Sequence, residues 1–134
     1  YFYSVMNYGV QQFRIGDNAQ LIGLDPLQVN IPYQAGQSVI TANDNFMYVS
    51  GVNGLTSYQI NSLTGQLSQS IPYPNNNPNL NSTLSIDKTN QYLFAAYANQ
   101  LLTYKIDNST GGLTLSVNYL ENKGSGFAFA INSI

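Results

Sequence analysis

The sequence predicts an all-β fold of β-propeller blades: three four-stranded antiparallel repeats, permuted by one strand, that do not close a ring alone. Three observations carry this. A phrase recurs every 45 to 46 residues, in "YSVMNYGVQQFRIGDNAQL", "YVSGVNGLTSYQINSLTGQL" and "FAAYANQLLTYKIDNSTGGL". Within each phrase apolar and polar residues alternate with period two and β-branched and aromatic types dominate, which is the strand pattern. Dense turn punctuation ("VNG", "LTGQ", "STGG", "ANDN", "DKTN") separates the runs, and no window of helical spacing interrupts them.

Each element can be placed in order. "YFYSV" opens the chain as the second strand of a blade, and "VQQFRI" is the third. A full unit follows: strands near Ser38–Thr41, Phe46–Ser50, Leu55–Ile60 and Gln66–Ile71. The next unit has Thr83–Ile86, Tyr92–Ala96, Leu101–Ile106 and Gly112–Val117. Aligning the copies matches Tyr3, Tyr48 and Phe94; Val10, Leu55 and Leu101; Phe13, Tyr58 and Tyr104; Ile15, Ile60 and Ile106; and Leu21, Leu67 and Leu113, with one residue of drift in the turn after Ile15. An aromatic and an isoleucine on one side of each third strand suit sheets stacked face to face, where each buried side chain contributes about 1.5–3 kcal/mol. Four antiparallel strands per repeat of this length make a propeller blade. The repeats run roughly 1–36, 37–81 and 82–125 in a single domain, and residues 126–131 read as a further first strand that completes a blade.

Propellers close with about four to eight blades, so three leave open ends. "GFAFAI" would then be an apolar edge strand in need of pairing. Two readings follow. Either Phe127, Ala128, Phe129, Ala130 and Ile131 pair beside Tyr1, Phe2, Tyr3 and Val5 of another copy, in a ring or a filament, or the chain is excised from a longer propeller. A start at Tyr1 rather than Met suits a processed or excised chain.

Composition bounds the partners. Charged residues are 7% of the chain against about 25% in ordinary domains, so amides and hydroxyls form the polar surface. Asn and Gln make up about a fifth, and with a net charge of -2 copies repel one another weakly. This suits an extracellular, cell-surface or periplasmic protein. The four cations, Arg14, Lys88, Lys105 and Lys123, are scattered, so nucleic acid is excluded. No apolar run is long enough for membrane insertion as a helix. "NST" at Asn81 and at Asn108 gives two candidate glycosylation sites.

The chain has no His or Cys, one Glu (Glu121) and one Arg (Arg14). That removes Ser-His-Asp and Cys-His nucleophiles and His- or Cys-based zinc sites. Asp44, Asp87 and Asp107 fall in turns, where Asp bonds local backbone. "IDNSTGG" reads as a tight hairpin with Gly111 or Gly112 at positive φ, since it lacks the spacing of a calcium loop. No cofactor is expected. Tyr58 and Tyr104 are core candidates, whereas Tyr8, Tyr33, Tyr73, Tyr97 and Tyr119 lie nearer loops or strand ends and could stack on glycans. "SIPYPNNNPNLN" is the longest irregular stretch, and Pro72, Tyr73, Pro74, Asn76 and Pro78 are its candidates for contacting a partner.

"MYVSG", "LTSYQINSLTGQLS", "LFAAY" and "LLTYKIDNSTGGLTL" together resemble the YVTN-type and lactonase-like propeller repeats over essentially the whole chain. The resemblance implies a propeller. Enzymes of that family use His, Glu and Arg side chains around the central channel, and this stretch offers no matching set. The expectation is therefore a non-enzymatic structural protein that assembles with copies of itself. The alternatives are a lectin-like ligand-binding module and a fragment of a longer lactonase-like propeller.

Overall fold

The computed structural model describes residues 1–75, 82–97 and 100–120. They form eleven strands in three antiparallel sheets. The first sheet is β1 (Phe2–Met6), β2 (Gly9–Ile15) and β3 (Leu21–Asn30), in that order. The second is β4 (Ala35–Ile40), β5 (Phe46–Gly51), β6 (Gly54–Ile60) and β7 (Leu67–Pro74). The third is β8 (Thr83–Ile86), β9 (Tyr92–Tyr97), β10 (Gln100–Ile106) and β11 (Leu113–Leu120). Each is a simple meander, the topology of a propeller blade, and there is no α-helix among the described residues. A single 3₁₀ turn, Asp17–Ala19, occupies the place of the one-residue drift.

The second sheet is the filling between the other two, and pleat geometry decides which residue goes where. Successive side chains of a strand point to opposite faces. In β5, Phe46 and Tyr48 join a core with Leu55, Leu93, Leu102, Tyr104 and Ile106, toward the third sheet. Met47 and Val49 join Val10, Ile31, Tyr58, Ile60 and Leu67, toward the first. Every residue of β5 is therefore buried. The aromatic-x-isoleucine face of each repeat packs on the preceding sheet: Tyr58 and Ile60 on the first, Tyr104 and Ile106 on the second. In the first sheet the same face carries Phe13 and Ile15, and no other described sheet covers it. Ile15 is 56% exposed, and Phe13 meets Phe2 with ring centroids 6.0 Å apart.

Several expectations need adjusting. Pro72, Tyr73 and Pro74 are not in an irregular insert: they pair in β7 with Thr56, Leu55 and Gly54. An edge strand tolerates proline because its outer N–H groups have no ladder partner to lose. Tyr97 does lie at a strand end, closing β9, but it is 1% exposed in the core. "VNG" is the expected hairpin turn between β5 and β6, with positive φ on Asn53 (65°), and the missing Cβ of Gly54 admits the Tyr33 ring. Gly65 and Gly111 do take positive φ, at 71° and 73°.

Candidate functional site

The inner edges of the sheets are held by small polar groups. The Ser50 hydroxyl donates to the Gln37 carbonyl (3.1 Å) and accepts from the Gln37 N–H (3.0 Å), fastening β4 to β5. The Ser82 hydroxyl donates to Ser50 at the entry to β8. The Gln37 side chain reaches on to the Leu84 N–H at 3.4 Å, so β4 and β8 are cross-linked along the inner rim. Ser50 and Ser82 are buried, and Gln37 and Ser38 are exposed. Of these neutral groups, the exposed Gln37 and Ser38 are the ones that face solvent.

At one end of the inner rim lies a cleft of about 380 Å³ between the first two sheets. Tyr1 and Tyr3 form one wall; Ile40, Asn43 and Asp44 form the other; Ile60 to Ser62 close it. The loop beside it follows a repeated plan. Thr41 accepts from the Phe46 N–H at 3.0 Å; at the matching position Asp87 accepts from the N–H groups of Gln91 (2.8 Å) and Tyr92 (2.6 Å). Partial burial works against ionisation of Asp87, but hydrogen bonds from Thr89, Tyr92 and Gln91 outweigh it and hold the carboxyl below its ordinary range. The Asp107 carboxyl is likewise lowered, by bonds from Ser109 and then Thr110. Both acids are thus engaged by their turns, as their sequence context predicts.

Aromatic side chains join the sheets at the same end. Tyr3 donates its hydroxyl to the Gly65 carbonyl (2.6 Å), and Tyr1 donates to Leu63 (2.6 Å). One repeat on, Tyr48 donates to the Gly111 carbonyl at 3.0 Å. A Cβ on Gly65 would overlap the Tyr1 ring, and one on Gly111 the Phe46 ring. Burial pushes the Tyr3, Tyr58 and Tyr104 phenols up to about 12, and raises Tyr48 and Tyr97 as well.

A second cleft, of about 310 Å³, runs along the outer rim between β7 and β11. Pro72, Tyr73 and Pro74 wall it, Leu102 and Tyr104 lie on its floor, and Asn75, Gln100 and Asn118 provide amides. Tyr73 is partly committed inside the molecule, because its hydroxyl accepts from the Leu113 N–H at 3.0 Å. Asn75 donates to the Tyr97 hydroxyl at 2.7 Å.

Of the sequence-predicted assembly residues, Tyr3 and Val5 pack toward the second sheet, whereas Tyr1 and Phe2 are 51% and 44% exposed. Phe127, Ala128, Phe129, Ala130 and Ile131 lie outside the described residues, as do Asn76, Pro78 and Asn81. Asn108 is exposed in the β10–β11 turn. Sequence reasoning missed Gln12, which is fully buried: its Nε2 donates to the Pro26 carbonyl (2.9 Å) and its Oε1 accepts from the Leu67 N–H (2.5 Å). The signal was its alignment with Ser57 and Thr103, two smaller polar residues. No group of three or more His, Cys, Asp or Glu side chains comes together among the described residues, and no helix there is long and apolar enough to cross a membrane.

No family model and no curated protein matches this sequence. Solved structures do match in fold. One, named provisionally as a 6-phosphogluconolactonase, from Bacteroides fragilis, superposes with a TM-score of 0.72 at 18% identity, covering 88% of this chain and 35% of that one. The periplasmic gluconolactonase of Pseudomonas aeruginosa gives 0.71 at 17% identity over 87% and 36%. A further chain, named provisionally as a 6-phosphogluconolactonase, from Bacteroides uniformis, gives 0.70 at 19% identity over 87% and 35%. The chain spans about a third of the length of these structures. Its fold is that of a lactonase-like propeller, in three blades that leave the ring open. The expectation of a non-enzymatic protein is overturned here, because the solved chains that share this fold are named as lactonases. The missing His and Cys bore only on this third of a propeller's length, whereas a propeller's channel is lined by every blade.

Proposed function

We propose that these three sheets form a section of a lactonase-type propeller that opens the ring of a sugar lactone, in the periplasm or outside the cell. One observation carries the reading: three consecutive blades superpose over nearly nine-tenths of this chain on chains named as (6-phospho)gluconolactonases. In that reaction water adds to the lactone carbonyl, the ring C–O bond breaks, and a hydroxy acid is released. The inner-rim amide of Gln37 and hydroxyl of Ser38 would orient the sugar hydroxyls. The charge-bearing groups would come from other blades.

Acid release from glucono-δ-lactone by the native polypeptide, above the spontaneous rate, tests this. Gln37→Ala should raise KM with kcat nearly unchanged, as expected for a group that binds ground state and transition state alike. A rate equal to the uncatalysed background would defeat the reading.

A further inference from the structure

We propose that a polar cleft at the junction of the second and third sheets, lined by Asn45, Gln59, Ser68 and Asn108, binds a neutral saccharide. It lies on β6, β7 and the β10–β11 turn, not on the inner strand β4 that carries Gln37 and Ser38. The inference therefore stands apart from the lactone-opening reading.

Pleat geometry sets the floor and one wall. Leu55 of β6 faces the third sheet, while Tyr58 and Ile60 face the first. By alternation Gln59 points toward the third sheet. Its partners across the ladder are Phe46 on β5 and Ser68 on β7, so the three side chains stand in a row on that face. Phe46 is buried, whereas Gln59 and Ser68 are exposed. The β10–β11 turn supplies the opposite wall with Asn108, and Asn45 closes one side from the β4–β5 loop. The space between them is about 490 Å³, inside the range of about 300–1,000 Å³ typical of small-molecule sites.

The walls are pre-formed. The Asp107 carboxylate accepts from the Ser109 N–H (2.8 Å) and the Ser109 hydroxyl (2.6 Å), which fixes the turn that carries Asn108. That turn sits tightly on the floor, because a Cβ on Gly111 would overlap the Phe46 ring. Across the cleft, the Asn61 side-chain oxygen accepts from the N–H groups of Leu63 (2.9 Å) and Thr64 (3.0 Å). A ligand meets groups already in place and loses little to ordering them.

The chemistry of the lining specifies the ligand class. The side chains of Asn45, Gln59, Ser68 and Asn108 make no hydrogen bond among the described residues. Three amides and a hydroxyl each donate and accept, as the hydroxyls of a sugar do. No charged side chain lines the cleft among the described residues. The residue aligned with Gln59 is Arg14 one repeat earlier and Lys105 one repeat later, so this is the uncharged copy of the position. A sugar phosphate finds no counter-charge here. At the lip, Leu63 is 87% exposed and offers apolar surface to the C–H face of a pyranose ring.

Nuclear magnetic resonance of the full chain tests this, with neutral trisaccharides of glucose, galactose, mannose and N-acetylglucosamine titrated into the millimolar range. At least one should shift the side-chain amides of Asn45, Gln59 and Asn108 together and saturably. Gln59→Ala and, on the opposite wall, Asn108→Ala should each weaken that binding roughly 10-fold. Glucose 6-phosphate should bind no more tightly than glucose. No saturable shift with any of the four trisaccharides overturns the site. Shifts confined to the Gln37 amide place the sugar at the inner rim and overturn it as well. Variants that keep the parent's backbone spectrum and its affinity overturn the roles of Gln59 and Asn108, and tighter binding of the phosphorylated sugar overturns the neutral class.

Discussion

The hydroxyl of Tyr48 donates to the backbone carbonyl of Gly111 across the junction of the second and third sheets, 3.0 Å away. Tyr3 repeats the bond to Gly65 one junction earlier. The third copy of the position is Phe94, which has no hydroxyl to offer. The matching turn of the first sheet has Ala19 at a φ of 59° in place of glycine. The tie is thus made at both junctions between the described sheets.

Tyr48→Phe should therefore cost about 1–2 kcal/mol, because it leaves the Gly111 carbonyl unpaired in a buried junction. Phe94→Leu makes the comparison on a ring that bears no such bond; it should act through packing alone. Urea unfolding midpoints of the two variants, at unchanged m-value, are the measurement. Equal midpoints for Tyr48→Phe and the parent would show that the bond adds nothing to the junction.

Gly111→Ala should be the more damaging change. Left-handed φ costs an alanine about 1–2 kcal/mol, and its Cβ would overlap the Phe46 ring. Parting the second and third sheets to admit it adds about 1–3 kcal/mol more, as overpacked cores do. Combining Phe46→Ala with Gly111→Ala should recover part of the steric share but none of the backbone share. Thermal unfolding of the single and double variants separates the two.

Gln12 gives the clearest case of a polar group placed for structure. Gln12→Leu preserves size but strips both bonds, orphaning the Leu67 N–H and the Pro26 carbonyl. About 2–4 kcal/mol should be lost. Exchange of the Leu67 amide should quicken with it. A variant as stable as the parent would mean that water takes over both partners.

The strand order, the register of the repeat and the face carried by Tyr58, Ile60, Tyr104 and Ile106 were all legible in the sequence, because period-two alternation reports which side of a pleat is buried. The turns at Gly65 and Gly111 were legible too, since the chemistry that permits positive φ is local. What was not legible depends on contacts between repeats. Nothing near Gln12 signals that its amide spans two sheets, and nothing in "AYANQ" shows that Tyr97 is interior. Pro72 and Pro74 looked like loop formers because a pattern does not reveal that β7 is an edge. The non-enzymatic expectation failed in the same way: a search for His and Cys sees only the residues of this stretch.

The buried phenols set an alkaline limit on stability. Tyr48, Tyr58, Tyr97 and Tyr104 are each 5% exposed or less, and burial raises all four above the ordinary value of 10.0. A raised phenol favours the folded state while it stays neutral, so this stability is fully present below pH 10. Above that the unfolded chain releases protons that the folded one retains. Each group then removes about 1.4 kcal/mol per pH unit, and four remove about 5–6 kcal/mol. A domain of ordinary stability, about 5–15 kcal/mol, should unfold within one to three units above pH 10. Tyrosinate absorbance of the buried four should rise together with the loss of sheet circular dichroism. Tyr104→Phe should lower the slope of stability against pH by about a quarter. A single smooth titration centred near pH 10, with the sheets intact, would show that these rings open to solvent far more readily than their packing implies.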